Sequence, residues 1–114
     1  MTTVKLQDEQ WAKIRDFLRE DPRAYLGEEA ECRQFVEAVI WVDRSGAQWR
    51  LLPPEYGHWN SIYKRFARWC DHGVWQRMFD HFAQDPDLEN GILDSTIVRA
   101  HACAAGAEKK RGSG

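Results

Sequence analysis

Four residues in one short segment carry the clearest candidate chemistry. Ser61, Lys64, Arg65 and Arg68 recur at spacings of three and four, so a helix through them gathers all four on one side. Lysine and arginine offer positive charge to phosphate oxygens. Ser61 and its neighbour Asn60, near the helix start, offer hydrogen bonds to phosphates or to base edges. The opposite side reads Trp59, Ile62, Tyr63, Phe66, Trp69 and Cys70, an apolar stripe suited to packing. Such an element can lie in the major groove of duplex DNA with its back against other helices. An amphipathic helix with an ordinary solvated side is the alternative on this segment alone.

Two further constellations are weaker. Asp94 stands in an otherwise apolar, β-branched run, Gly91 to Ala100, where an acid is costly unless it lies at an edge, is hydrogen-bonded or coordinates a cation. One carboxylate cannot build a two-metal phosphoryl-transfer site, so read alone Asp94 is a turn or edge residue. Cys70 and His72 form one close pair of metal-ligand types, but no second pair has zinc spacing. His58, His72 and His81 read as surface or helix-end residues. The three cysteines, Cys32, Cys70 and Cys103, are too scattered for a disulfide framework and read as reduced thiols.

The positioning elements follow from periodicity and breakers. Residues 7–20 read as a helix with Trp11, Ile14, Phe17 and Leu18 inward, stopped by Asp21-Pro22. Residues 28–44 read as a second helix whose stripe is Cys32, Phe35, Val36, Val39, Ile40 and Asp43, ended by Ser45-Gly46. A connection containing Pro53-Pro54 leads to the third helix, about 59–71. After His72-Gly73 a short fourth helix runs from Val74 to Ala83. Core anchoring is the reading for all six tryptophans, Trp41 and Trp49 included. The expected fold is mainly α: a bundle of about four helices, helix-turn-helix-like, with a short extended C-terminal segment. The link between the second and third helices is longer than the usual turn of about 3–4 residues.

Charge is unevenly placed along the 114 residues. A formal net charge of −2 conceals a basic block at 44–77, with six Lys/Arg against two Asp/Glu, and a basic tail at 99–114, with four against one. Contact with nucleic acid belongs in those stretches. No apolar run reaches the roughly 18–20 residues that span a bilayer, and the N-terminus has no signal-peptide core. The expectation is a cytoplasmic, nucleoid-associated protein without a membrane partner.

The ordered set of motifs resembles a known family. Gly46-Ala-Gln-Trp-Arg-Leu-Leu-Pro53, Trp59-Asn-Ser-Ile-Tyr-Lys-Arg-Phe66 with Trp69, Gly73-Val-Trp75 and Leu93-Asp-Ser-Thr-Ile-Val-Arg-Ala-His101 are similar to the N-terminal part of DDE-type insertion-sequence transposases of bacteria. The resemblance implies that residues 1–85 form a helical domain binding the element's terminal inverted repeats. It implies that 86–100 open an RNase-H-like catalytic domain, and 101–114 read as a flexible basic tail. Asp94 would be the first carboxylate of the catalytic triad and a Mg²⁺ ligand. The second Asp and the Glu are not in the chain. The expectation is therefore a truncated transposase portion, inactive by itself and holding no metal firmly, with double-stranded DNA, the remaining transposase portion or a second copy as partner. The alternative is a helical regulatory or protein-interaction module that does not bind DNA.

Overall fold

The computed structural model describes residues 5–83 and residue 85. Four α-helices and two single 3₁₀ turns make up the regular structure among these residues: α1 (Asp8–Glu20), α2 (Glu29–Ser45), the 3₁₀ turns Trp49–Leu51 and Pro54–Tyr56, α3 (Trp59–Asp71) and α4 (Val74–His81). The helices expected from periodicity are all present, within a residue or two at each end. The extended segment expected at 91–100, the tail at 101–114 and Asp94 lie outside the described residues, as does the boundary expected at 86.

Each helix begins and stops for local reasons. Asp8 and Glu9 occupy the first turn of α1, where the helix dipole favours negative charge, and the Gln7 N–H donates to Gln10 Oε1 at 3.0 Å. Helix α2 ends on Gly46, whose φ of 69° is the left-handed conformation that suits glycine. Gly73, with φ 74°, turns α3 directly into α4. Residues 46–58 join α2 to α3 through the two 3₁₀ turns. This path is longer than a helix-turn-helix turn, and Trp49, Leu52 and Tyr56 along it are buried.

Helix α2 is the centre of the molecule. The expected stripe is buried, but so are Glu37, Ala38, Trp41 and Val42, so residues 35–42 meet protein on every side. Asp43, at the end of the stripe, is only half-buried. Helix α1 contributes Trp11, Ile14 and Leu18; α3 contributes Phe66 and Trp69; α4 contributes Val74, Trp75 and Met78. Aromatic rings knit α2, α3 and α4 together: Phe35 lies 5.0 Å from Trp69 centroid to centroid, and Trp69 lies 5.2 Å from Trp75. Trp75 also donates its indole N–H to the Phe66 carbonyl at 3.1 Å, which satisfies its one polar atom in the core. Glu37 is the charged exception inside α2. It accepts the Leu6 N–H at 2.8 Å and pairs with Arg33, tying the segment before α1 to the central helix.

Candidate nucleic-acid interface

Helix α3 turns Phe66 and Trp69 into the core and leaves Ser61, Lys64 and Arg68 exposed on the other side; Asn60 is half-buried. No acidic residue stands in its first turn, so the positive end of the helix dipole is uncompensated there. Ser61 to Arg68 spans about 10 Å at 1.5 Å per residue, comparable with the roughly 12 Å width of the major groove.

The other helices spend their cations internally. Lys13 pairs with Asp85 at 3.0 Å, Arg15 with Glu29 at 3.1 Å, and Arg33 with Asp8 at 3.0 Å. Arg19 also reaches Glu29, and Arg77 binds Asp21. Lys64 and Arg68 have no carboxylate partner among the described residues. Their charge is therefore directed outward.

Arg65 behaves differently from its neighbours on the stripe. Its Nη2 donates to the carbonyls of Tyr25 at 2.7 Å and Leu26 at 3.1 Å, in the loop between α1 and α2. Its guanidinium carbon lies 4.7 Å from the Phe35 ring centroid and 5.5 Å from that of Trp69. The planar guanidinium thus stacks on the core while it holds a loop, a task for which lysine lacks the shape. The row of cations expected from the sequence is real in position, and Arg65 within it differs by being bonded to the loop carbonyls.

The same loop is fastened at its other end. Asp21, whose side chain is 2% exposed, accepts Arg77 Nε at 2.8 Å and Arg77 Nη2 at 2.9 Å, and also the Arg23 N–H at 2.9 Å. The Arg77 guanidinium, opposed by burial and helped by the Arg23 N–H, holds the Asp21 carboxyl below the usual carboxylate range. Between this loop and α3 lies a groove of about 400 Å³, with Arg23 and Tyr25 on one wall and Ser61, Lys64, Arg65 and Arg68 on the other. Nothing in the sequence pattern brings Arg23 and Tyr25 to α3. The loop is nearly forty residues distant, and its docking depends on Arg65.

The remaining candidates are placed as follows. His58 caps the start of α3 and His72 its end, and His81 closes α4, all at helix ends as expected. Cys32 is fully buried, and burial pushes its thiol up to about 11. Among the described residues no three His, Cys, Asp or Glu side chains converge to hold a metal ion. Asp94, the expected ligand, lies outside them. No helix among the described residues is long and apolar enough to cross a membrane.

Comparison with known proteins identifies the family of these helices. The family described as "Putative transposase of IS4/5 family (DUF4096)" matches residues 6–79, a span that holds all four helices but the last two residues of α4. The chain is 40% identical over 107 residues to "Uncharacterized protein y4sN" of Sinorhizobium fredii, covering 94% of this chain and 86% of that protein. It is 28% identical over 76 residues to "Insertion element IS402 uncharacterized 16.2 kDa protein" of Burkholderia cepacia, covering 60% of this chain and 52% of that protein. No solved structure matches. With a family match that runs through α1, α2 and α3 and most of α4, the chain belongs to the IS4/5 transposase family, and residues 6–79 are its shared helical domain.

Proposed function

We propose that this helical domain binds duplex DNA through the exposed side of α3 and recognises the ends of an insertion element during DNA transposition. The observation that carries the reading is the pairing pattern of the cations. Lys13, Arg15, Arg19, Arg33 and Arg77 are neutralised within the fold, whereas Lys64 and Arg68 stand outward on one helix face without a carboxylate partner among the described residues. An uncompensated cation is of most use where it meets phosphate, and each contact releases condensed counterions from the duplex. Ser61 and Asn60, one turn nearer the helix start, then stand where the deeper part of the groove would be, with hydroxyl and amide groups that can meet phosphate or base edges.

The test is a fluorescence-anisotropy titration of a labelled duplex carrying the element's terminal sequence, repeated at several salt concentrations, with wild type and the Lys64→Ala/Arg68→Ala double variant. Loss of two phosphate contacts lowers the slope of log affinity against log salt by about 1.8. The ratio of affinities between roughly 50 and 200 mM salt then shrinks by about tenfold. A mixed-sequence duplex binds more weakly than the terminal sequence if the face reads bases as well as phosphates. An unchanged slope in the double variant refutes the assignment and leaves a helical regulatory or protein-interaction module.

A further inference from the structure

We infer that the loop between α1 and α2, residues 22–27, is the second wall of the DNA-contacting surface, with Arg23 as a phosphate ligand and Arg65 as the residue that positions it. The inference rests on the reading of α3 as a DNA-binding helix. Four observations lead to it. Arg23 is exposed and, among the described residues, its guanidinium has no ion-pair partner, like those of Lys64 and Arg68 across the groove. Tyr25 is 75% exposed, an unusual position for a large ring, and its flank faces the same groove. The loop is held in place from both sides, by Arg65 on the Tyr25 and Leu26 carbonyls and by Arg77 on Asp21. Gly27, with φ 61°, lets the Tyr25 ring fold so close that a Cβ there would lie 2.9 Å from Tyr25 Cε2.

A loop fastened so firmly and carrying an exposed ring and an unneutralised cation is arranged to present them. Duplex DNA is the occupant that fits. The groove is cationic on both walls, the expected ligand is a polyanion, and a phenol hydroxyl is a common donor to phosphate oxygen. Lys64 and Arg68 on one wall and Arg23 on the other can engage the backbone at separate points while α3 faces the bases. Arg65 also lines the groove, but its Nη2 is engaged by the loop carbonyls. It acts through the loop by fixing where Arg23 stands.

The experiment uses the full chain and a labelled mixed-sequence duplex of about 30 base pairs, because phosphate contacts do not depend on sequence. Arg23→Ala, Tyr25→Phe, Arg65→Lys, Arg23→Ala/Arg65→Lys and Lys64→Ala/Arg68→Ala are titrated across a salt series, with thermal melts recorded alongside. Arg23→Ala is expected to melt like wild type and to lower the salt slope by about one. Tyr25→Phe is expected to weaken binding severalfold without changing the slope, since it removes a neutral donor. Arg65→Lys is expected to lower the slope by the same amount as Arg23→Ala, and the double variant no further, because both remove a single contact. A purely structural role for Arg65 would lower the melting temperature and leave the slope of the folded protein at the wild-type value, which overturns the positioning claim. A normal slope in Arg23→Ala, together with a reduced one in Lys64→Ala/Arg68→Ala, overturns the second wall and leaves α3 as the DNA-binding element. A normal slope in both overturns the second wall and the DNA-binding reading together.

Discussion

Replacing Arg77 by alanine should expose how much the fold depends on one ion pair. The Asp21 carboxylate is 2% exposed and takes two hydrogen bonds from the guanidinium, at 2.8 and 2.9 Å, whereas the Arg77 side chain is 44% exposed. Removing the arginine leaves a buried carboxylate with main-chain donors alone, the Arg23 N–H at 2.9 Å and the Ala24 N–H. Breaking a fully buried pair costs about 3–5 kcal/mol. Half of this pair faces water, which screens it and can enter the gap, so about 2–3 kcal/mol is the expected loss at pH 7. For a domain of this size that corresponds to a fall in Tm of roughly 10–15 °C. Circular dichroism melts of wild type and Arg77→Ala, recorded from pH 7 down to pH 2, measure it. Because the folded-state pKa of Asp21 is depressed, the pair's stabilisation is fully present above the ordinary carboxylate pKa and is lost as pH falls through the lower, folded value. The gap between the two proteins should therefore hold steady from about pH 8 to 5 and close below about pH 4. A gap under about 1 kcal/mol at neutral pH, or one that persists undiminished into strong acid, refutes the reasoning.

Four other outcomes follow from the packing. Cys32, buried and with its thiol raised to about 11, should resist iodoacetamide at pH 7.5 in the native protein and label only in denaturant, read by peptide mapping. Gly46→Ala meets nothing within 4 Å and should cost about 1 kcal/mol from backbone strain alone. Gly73→Ala has the same positive φ, and its Cβ would lie 2.9 Å from Arg77 Nη1, on the guanidinium held by Asp21; a cost of about 2 kcal/mol or more in urea titration is expected. Trp75→Phe removes a buried indole and leaves the Phe66 carbonyl without that donor, so a loss of about 1–3 kcal/mol should appear in the same urea assay.

The helices could be read from the sequence because their causes are local. Apolar residues at spacings of three and four, Asp21-Pro22 and the two glycines at 46 and 73 act within a turn or two of themselves. What was not legible depends on contacts between distant parts of the chain. At 100° per residue Lys64, Arg65 and Arg68 are equivalent cations on one stripe. Only the carbonyls of Tyr25 and Leu26, together with the Phe35 ring, distinguish Arg65 from the other two. Glu37 carried one hint, an acid set between Val36 and Ala38 in an otherwise apolar run, but its partner, the Leu6 N–H, lies thirty-one residues earlier. Asp21 read as a helix stop, which it is, yet its carboxylate also serves α4, fifty-six residues on. The groove proposed to face DNA is thus composed of a face that periodicity reveals and a wall that only tertiary packing brings to it.

Because α2 is enclosed by neighbours over residues 35–42, its peptide groups have no route to solvent short of the whole domain coming apart. Their amide protons should be the slowest to exchange with deuterium and should report the global unfolding free energy directly. The outer turns of α3, exposed along Ser61, Lys64 and Arg68, can open on their own far more often. The protein therefore joins a kinetically quiet axle to a more responsive outer surface, and a ligand that slows exchange on α3 without affecting α2 would mark where it has landed.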